Sequence, residues 1–244
     1  MMDPRESIIG TRLGRVGRII GFSSAKGGVG KTLCTTTAAV VLARAGRRVG
    51  VLDLDLQGAS AHIFLGVQPR MPAEDRGILP LSAAENLFFM SASIFAGEKA
   101  LALRGSEVSD AIRELLAVTQ WGPLDCLLVD MPPGIGDEVL DLARLIPRLE
   151  ALVISTPSAV SVAVVRRLLA VLAEMRVPVS GVVANMAAGR ADSVREMAAQ
   201  SGNAFAGEVQ VDGAIEAAIG DVVRLASTTA AADLCKVLAA IGLL

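Results

Sequence analysis

Residues 22–33 read FSSAKGGVGKTL, a run whose residue types and spacing suit the binding of a polyphosphate. Gly27, Gly28 and Gly30 let backbone N–H groups wrap a β-phosphate, Lys31 can reach the β and γ oxygens, and Thr32 can ligate Mg²⁺. Val29 and Leu33 complete the candidate nucleotide-contacting run. The pattern GxxxxGK[ST] opens here on Ala25 instead of glycine, and a second lysine, Lys26, follows at once. Lys26 stands too early to cradle its own phosphate. An ammonium at that place suits another task, crossing a dimer interface to neutralise charge that develops on a partner's nucleotide, as an arginine finger does.

Two acidic stretches accompany the loop. VLDLDLQGAS carries Asp53 and Asp55, and LLVDMPPGIGDEVLDL carries Asp130 behind an apolar run. Carboxylates at the carboxyl ends of parallel strands stand where open α/β sheets bind ligands. There they can orient an attacking water or hold Mg²⁺ through water, since phosphoryl transfer depends on positioning more than on strong base chemistry. A buried acid beside phosphates is costly without an ion, so Mg²⁺ is the natural partner of Asp130. Thr32, Asp55 and Asp130 are therefore the candidate metal-binding residues. Gly134 and Gly136 would let the following segment move when a γ-phosphate is lost.

These residues need elements to position them. Apolar runs predict strands over 18–23, 48–53, 87–91, 124–130, 151–156 and 179–184, with a shorter one near 204–209. Helical spacing occupies 31–45, 107–119, 137–145, 160–175, 191–200 and 228–241. This alternation predicts an α/β fold, a doubly wound and mostly parallel sheet of the P-loop NTPase type. The stretch 68–84 has no periodicity and carries Pro69, Pro72, Gly77 and Pro80, which predicts a surface loop open to a partner-specific insertion.

The bulk composition fits such a domain. Over 244 residues, 52% are hydrophobic, and mean hydropathy is +0.55. The apolar residues fall in short runs. The longest uncharged stretch, 151–165, is broken by Ser155, Thr156, Pro157 and Ser158, well short of the roughly 18 apolar residues of a membrane span. Strands buried on both faces account for the hydrophobicity. With 23 basic and 25 acidic side chains and no basic block, neither nucleic acid nor a membrane is indicated as a partner. Residues 1–17 place arginines among few apolar residues, unlike a signal peptide, and are expected to form an exposed extension before one domain over 18–244 of a cytoplasmic protein. The cysteines, Cys34, Cys126 and Cys235, are far apart and form no CxxC, so buried thiols are expected. The lone His62 and Trp121 are expected to pack, as is the apolar face of ADLCKVLAAIGLL at 232–244.

KGGVGKT resembles the deviant Walker A motif of the MinD/ParA/Mrp ATPases. QWGPLDCLLVDMPPGIGDEVLDL is similar to the corresponding segment of the Mrp/ApbC branch, and ALVISTP and VPVSGVVANM continue the likeness in order, so that it covers residues 18–225. The resemblance implies an ATP-sandwiched homodimer in which Lys26 acts across the interface, with slow, partner-stimulated ATP hydrolysis. It implies that Asp55 positions water, that Asp53 supports the loop, and that Asn185 contacts adenine. No NKxD sequence is present, which favours ATP over GTP. Some positions depart from the family. Leu33 replaces a Ser/Thr, Gln210 stands where a proline often flanks adenine, and QGAS leans toward ParA-type partition ATPases. The CxxC that Mrp/ApbC proteins use for an iron–sulfur cluster is missing after Asn185 and Met186, so no cluster is expected on the chain's own cysteines. Two uses stay open at this point: iron–sulfur or metallocofactor assembly, and nucleotide-switched positioning of a protein cargo. In both, an unidentified protein partner is implied.

Overall fold

A computed structural model describes residues 3–56, 58–68, 70–96 and 106–244. Asp3 caps α1 (Pro4–Leu13) by accepting from the Arg5 N–H at 2.9 Å. Then come β1 (Val16–Ser23), α2 (Lys31–Arg44), β2 (Val49–Asp53) and α3 (Ala61–Leu65). β3 (Leu81–Ala84), β4 (Leu87–Ser91) and α4 (Ser93–Ala96) lead to α5 (Ser106–Val118), β5 (Leu124–Asp130) and α6 (Asp137–Leu145). The chain continues through β6 (Leu149–Ser155), α7 (Ala159–Glu174), β7 (Val179–Asn185), α8 (Asp192–Gln200) and β8 (Phe205–Val209). Two single turns, α9 (Ile215–Ala218) and α10 (Val222–Leu225), precede α11 (Thr229–Ala240). No helix among the described residues is long and apolar enough to cross a membrane.

The described strands form one eight-stranded sheet in the order β3-β4-β2-β5-β1-β6-β7-β8, parallel throughout except for β3 against β4. It is the doubly wound, mostly parallel sheet expected from the alternating pattern. Because the central strands run the same way, the carboxyl ends of β1, β2 and β5 meet at one edge, and the register sets Asp130 beside both Phe22 and Asp53. The strands are buried on both faces. Every residue of β2 is buried, and Phe22, Leu52, Leu128, Leu152 and Val183 are fully so. At Gly50 a Cβ would approach the Trp121 ring and the Leu124 and Leu127 side chains to 2.8 Å, so the indole takes the room that the glycine leaves. α2 packs on α11, α5 on α1, and α7 on α8.

Two expectations are corrected. Residues 1–17 are not simply an exposed extension, because α1 buries Ile9 and Leu13, four residues apart on one face, against α5. The arginines that obscured this stripe have partners: Arg5 bonds Asp3 and Asp110, and Arg12 donates to the Ala117 carbonyl at 3.3 Å. The stretch 68–84 is not all loop. Glu74 and Ile78 form an antiparallel bridge, Ile78 bridges Thr119, and β3 closes the sheet edge against β4. A four-residue edge strand pairs on one side only, and it leaves too short a run for periodicity to register. Pro69 lies outside the described residues.

Candidate nucleotide-binding site

β1 leads into the glycine-rich loop, and α2 begins at Gly30 without a side-chain cap, in a left-handed conformation with φ 79°. The first-turn N–H groups of α2 are thus left for an anion, with the helix dipole behind them. Gly30 is also sterically required. A Cβ there would lie 2.2 Å from the Asn185 amide nitrogen, which donates to the Val29 carbonyl at 2.7 Å. Asn185, 1% exposed at the end of β7, therefore braces the loop from behind. Gln210, just after β8, accepts from the Gly189 N–H at 3.2 Å and ties the loop after Asn185 to the next strand.

A cleft of about 200 Å³ opens over this loop. Gly27, Gly28, Val29, Gly30, Lys31, Thr32 and Leu33 line it, together with Asp55. Ser24, Phe64 and Pro133 line it as well, three residues that the motifs do not single out. Lys26 is exposed on the loop, and its carbonyl accepts from the Ser24 hydroxyl at 3.0 Å. A larger hollow of about 520 Å³ lies at the far end of α2, beside the amino end of β4, remote from these strand ends.

Beneath the cleft, the carboxylate of Asp130 is fully buried and gathers three side-chain donors. Lys31 Nζ lies 2.6 Å from Oδ1, Thr32 Oγ1 lies 2.6 Å from Oδ2, and Thr35 Oγ1 lies 3.1 Å from Oδ1. Thr35 is the residue that motif reading missed; its signal is simple spacing, one helical turn beyond Lys31. On the neighbouring strand Asp53, also fully buried, accepts from the Asp55 and Ala61 N–H groups at 3.1 Å each and shapes the turn after β2. Burial pushes its carboxyl well above the usual range, and the negative charge of Asp130 adds to the shift. Asp55 Oδ1 accepts from the Gly58 N–H at 3.0 Å, and Gln57 lies outside the described residues. Gly134, on the turn after β5, donates to the Ser24 carbonyl at 2.8 Å and so links that turn to the loop.

The three cysteines are free and lie on three different elements, α2, β5 and α11. Cys34 and Cys126 are buried, and burial pushes each thiol up to about 12, far from the thiolate a cluster needs. Cys235 is exposed on α11. No group of three or more His, Cys, Asp and Glu among the described residues is disposed to hold a metal by itself. His62 lies on α3, with its Nδ1 buried and unpartnered and its ring held toward neutrality by burial.

The chain is similar to several known proteins. An iron–sulfur cluster carrier protein of Methanococcus maripaludis is 36% identical over 190 residues, which cover 76% of this chain and 66% of that protein. The chloroplastic Fe-S cluster assembly factor HCF101 of Arabidopsis thaliana is 36% identical over 190 residues, 75% of this chain but 35% of its own length. The chain thus spans just under two thirds of the first of these relatives and about a third of the second. A nucleotide-binding protein from Archaeoglobus fulgidus, solved in complex with ADP, superposes with a TM-score of 0.77 at 30% identity over 90% of this chain and 92% of that one. The cell division ATPase MinD of Pyrococcus furiosus, with a TM-score of 0.67 at 21% identity over 92% of this chain and 98% of its own, shares the fold. The family described as ParA, NUBPL iron-transfer P-loop NTPase, matches residues 15–240, and the chain therefore belongs to the ParA family of P-loop NTPases, with relatives of the Mrp/ApbC iron–sulfur carrier type.

Proposed function

We propose that the chain is a Mg²⁺-dependent ATPase that closes as a homodimer around ATP and serves iron–sulfur or metallocofactor assembly. The observation that carries the nucleotide reading is the convergence of Lys31 and Thr32 on the buried Asp130 at the floor of a glycine-lined cleft. An ammonium, a hydroxyl and a carboxylate fit a phosphate chain with a hard cation, which takes oxygen ligands and retains several waters. Thr32 would ligate the ion, with Asp130 and Asp55 holding its waters; when bound, Mg²⁺ neutralises charge on the phosphate oxygens. Lys31 and the loop N–H groups bind the phosphates, Leu33 borders the nucleotide, Asn185 braces the loop from behind instead of meeting adenine directly, and Asp55 orients the attacking water. Lys26, exposed and outside the contacts of its own cleft, is free to meet the nucleotide of a second copy.

The test separates the two lysines. Lys26→Ala is expected to bind ATP as the parent does, to lose hydrolysis and to stay monomeric in ATP by light scattering. Hydrolysis at the parental rate would refute the trans role of Lys26.

The assembly role rests on the names of the relatives, iron–sulfur cluster carriers and an assembly factor. One observation favours the second reading, a nucleotide-switched module that positions a protein cargo: the sequence has no CxxC, and two of its three cysteines are buried. Anaerobic incubation with iron and sulfide decides between them. Stoichiometric iron with a brown chromophore, on the protein alone or with an added client apoprotein, supports assembly, and a colourless protein under both conditions favours cargo positioning.

A further inference from the structure

Thr35 Oγ1 sits between two acceptors, the Lys31 carbonyl at 3.0 Å and Asp130 Oδ1 at 3.1 Å. A hydroxyl has one proton to give. Oδ1 already receives the Lys31 ammonium at 2.6 Å, which neutralises it, so the backbone carbonyl one turn back competes well for that proton. On the nucleotide reading above, phosphate draws Lys31 away and Thr32 turns to Mg²⁺. Both strong donors then leave Asp130 together, while its carboxylate stays buried beside Asp53. Asp53 accepts one backbone N–H on each oxygen and is thereby committed to the turn after β2. Of the neighbouring hydroxyls, that of Thr36 is directed to the Thr32 and Leu33 carbonyls, and that of Thr37 has no partner.

We infer that Thr35 is a positioning residue, a reserve donor whose proton passes from the Lys31 carbonyl to Asp130 when nucleotide draws Lys31 off, and which then holds Asp130 oriented toward Mg²⁺. A hydrogen bond to a buried charge is among the stronger kinds, and an unpaired buried carboxylate is costly. The role predicts an effect largest in the metal-loaded state, because without Mg²⁺ Thr32 still donates to Asp130, whereas with Mg²⁺ both strong donors have left it.

Binding of methylanthraniloyl-ADP, measured by fluorescence in EDTA and across a Mg²⁺ titration, tests the role in Thr35→Val and Thr35→Ser. The near-isosteric valine removes the hydroxyl and serine keeps it. Thr35→Val is expected to bind within about twofold of the parent in EDTA while needing about tenfold more Mg²⁺ for its half-maximal effect, the lower end of what loss of an outer-shell partner costs a metal site. Thr35→Ser is expected to restore the parental midpoint. Should valine prove poorly folded by thermal denaturation, Thr35→Ala is read in the same way. A parental Mg²⁺ midpoint in Thr35→Val, equal losses with and without Mg²⁺, or failure of serine to restore the midpoint would each overturn the inference while leaving the nucleotide reading intact. A parental protein whose nucleotide affinity ignores Mg²⁺ would instead overturn that reading and the inference with it.

Discussion

At the scale of single residues, the site concentrates opposite charges where water is excluded. Lys31 is 6% exposed and Asp130 fully buried, so the two opposite charges pair where water is excluded. Removing one partner of such a pair leaves an uncompensated charge, at a cost of about 3 kcal/mol or more. Asp130→Asn is therefore expected to lose at least that much stability in urea denaturation without nucleotide, and to regain part of it when Mg²⁺-free ATP supplies phosphate to Lys31. The same variant should lose Mg²⁺-stimulated hydrolysis. A variant as stable as the parent would mean that Lys31 leaves its buried position when Asp130 is neutral. Lys31, Thr32 and Asp130 are legible as letters of a motif. Thr35 and Phe64 are not, because their places come from a helical turn and from the seating of α3 beside the phosphate loop, neither of which a pattern of consecutive letters records.

Between elements, Arg18 ties together strands on the amino-end side of the sheet. Arg18 of β1 bonds Glu150 of β6 at 2.6 Å and donates to the Ile241 carbonyl at the end of α11, while Ser180 of β7 donates to Glu150 at 2.8 Å. Arg18 chiefly, with help from Ser180, holds the Glu150 carboxyl below its ordinary value of 4.5. A lowered folded value means stability that is present above 4.5 and lost as pH falls through that folded value. Glu150→Gln should thus cost about 1 kcal/mol at pH 7, a figure kept small by partial solvent screening. The difference from the parent should shrink below about pH 4.5, where the unfolded parent begins to take up its proton. Chemical denaturation at both pH values measures this, and a pH-independent difference would assign the loss to packing. α1 belongs to this scale too. Its Ile9 and Leu13 stripe was present in the letters, but with only two strong apolar positions the period cannot be told from chance until α5 provides the surface they cover.

For the whole molecule, the candidate nucleotide loop also presents Lys26 outward, which on the proposed function would couple occupancy of one site to association of two copies. Asp55 lines the cleft and holds the Gly58 N–H, apart from the Lys31 and Asp130 pair, so on the proposed function its loss would remove the water-orienting carboxylate alone. Asp55→Ala is expected to slow hydrolysis by at least about a hundredfold, within the range that general-base and positioning groups supply. It should then accumulate as a dimer in ATP but not in ADP, as followed by light scattering. A mutant that remains monomeric in ATP would count against closure around the nucleotide.

Fold class and phosphate loop were legible because both rest on local rules. Buried parallel strands require unbroken apolar runs, and a loop that wraps phosphate requires glycines, a lysine and a hydroxyl in fixed order. The strands at Leu87–Ser91 and Leu124–Asp130 fall where the apolar letters begin and end. Sequence alone thus determined the kind of sheet and the place and type of its phosphate-binding loop. Only the tertiary structure decided what each polar group does there. Asn185 braces the Val29 carbonyl, Asp53 caps the turn after β2, and Thr35 shares its proton with Asp130. Those assignments depend on β5 lying between β1 and β2, an arrangement that brings residues far apart in the chain within hydrogen-bonding distance and that no local period encodes.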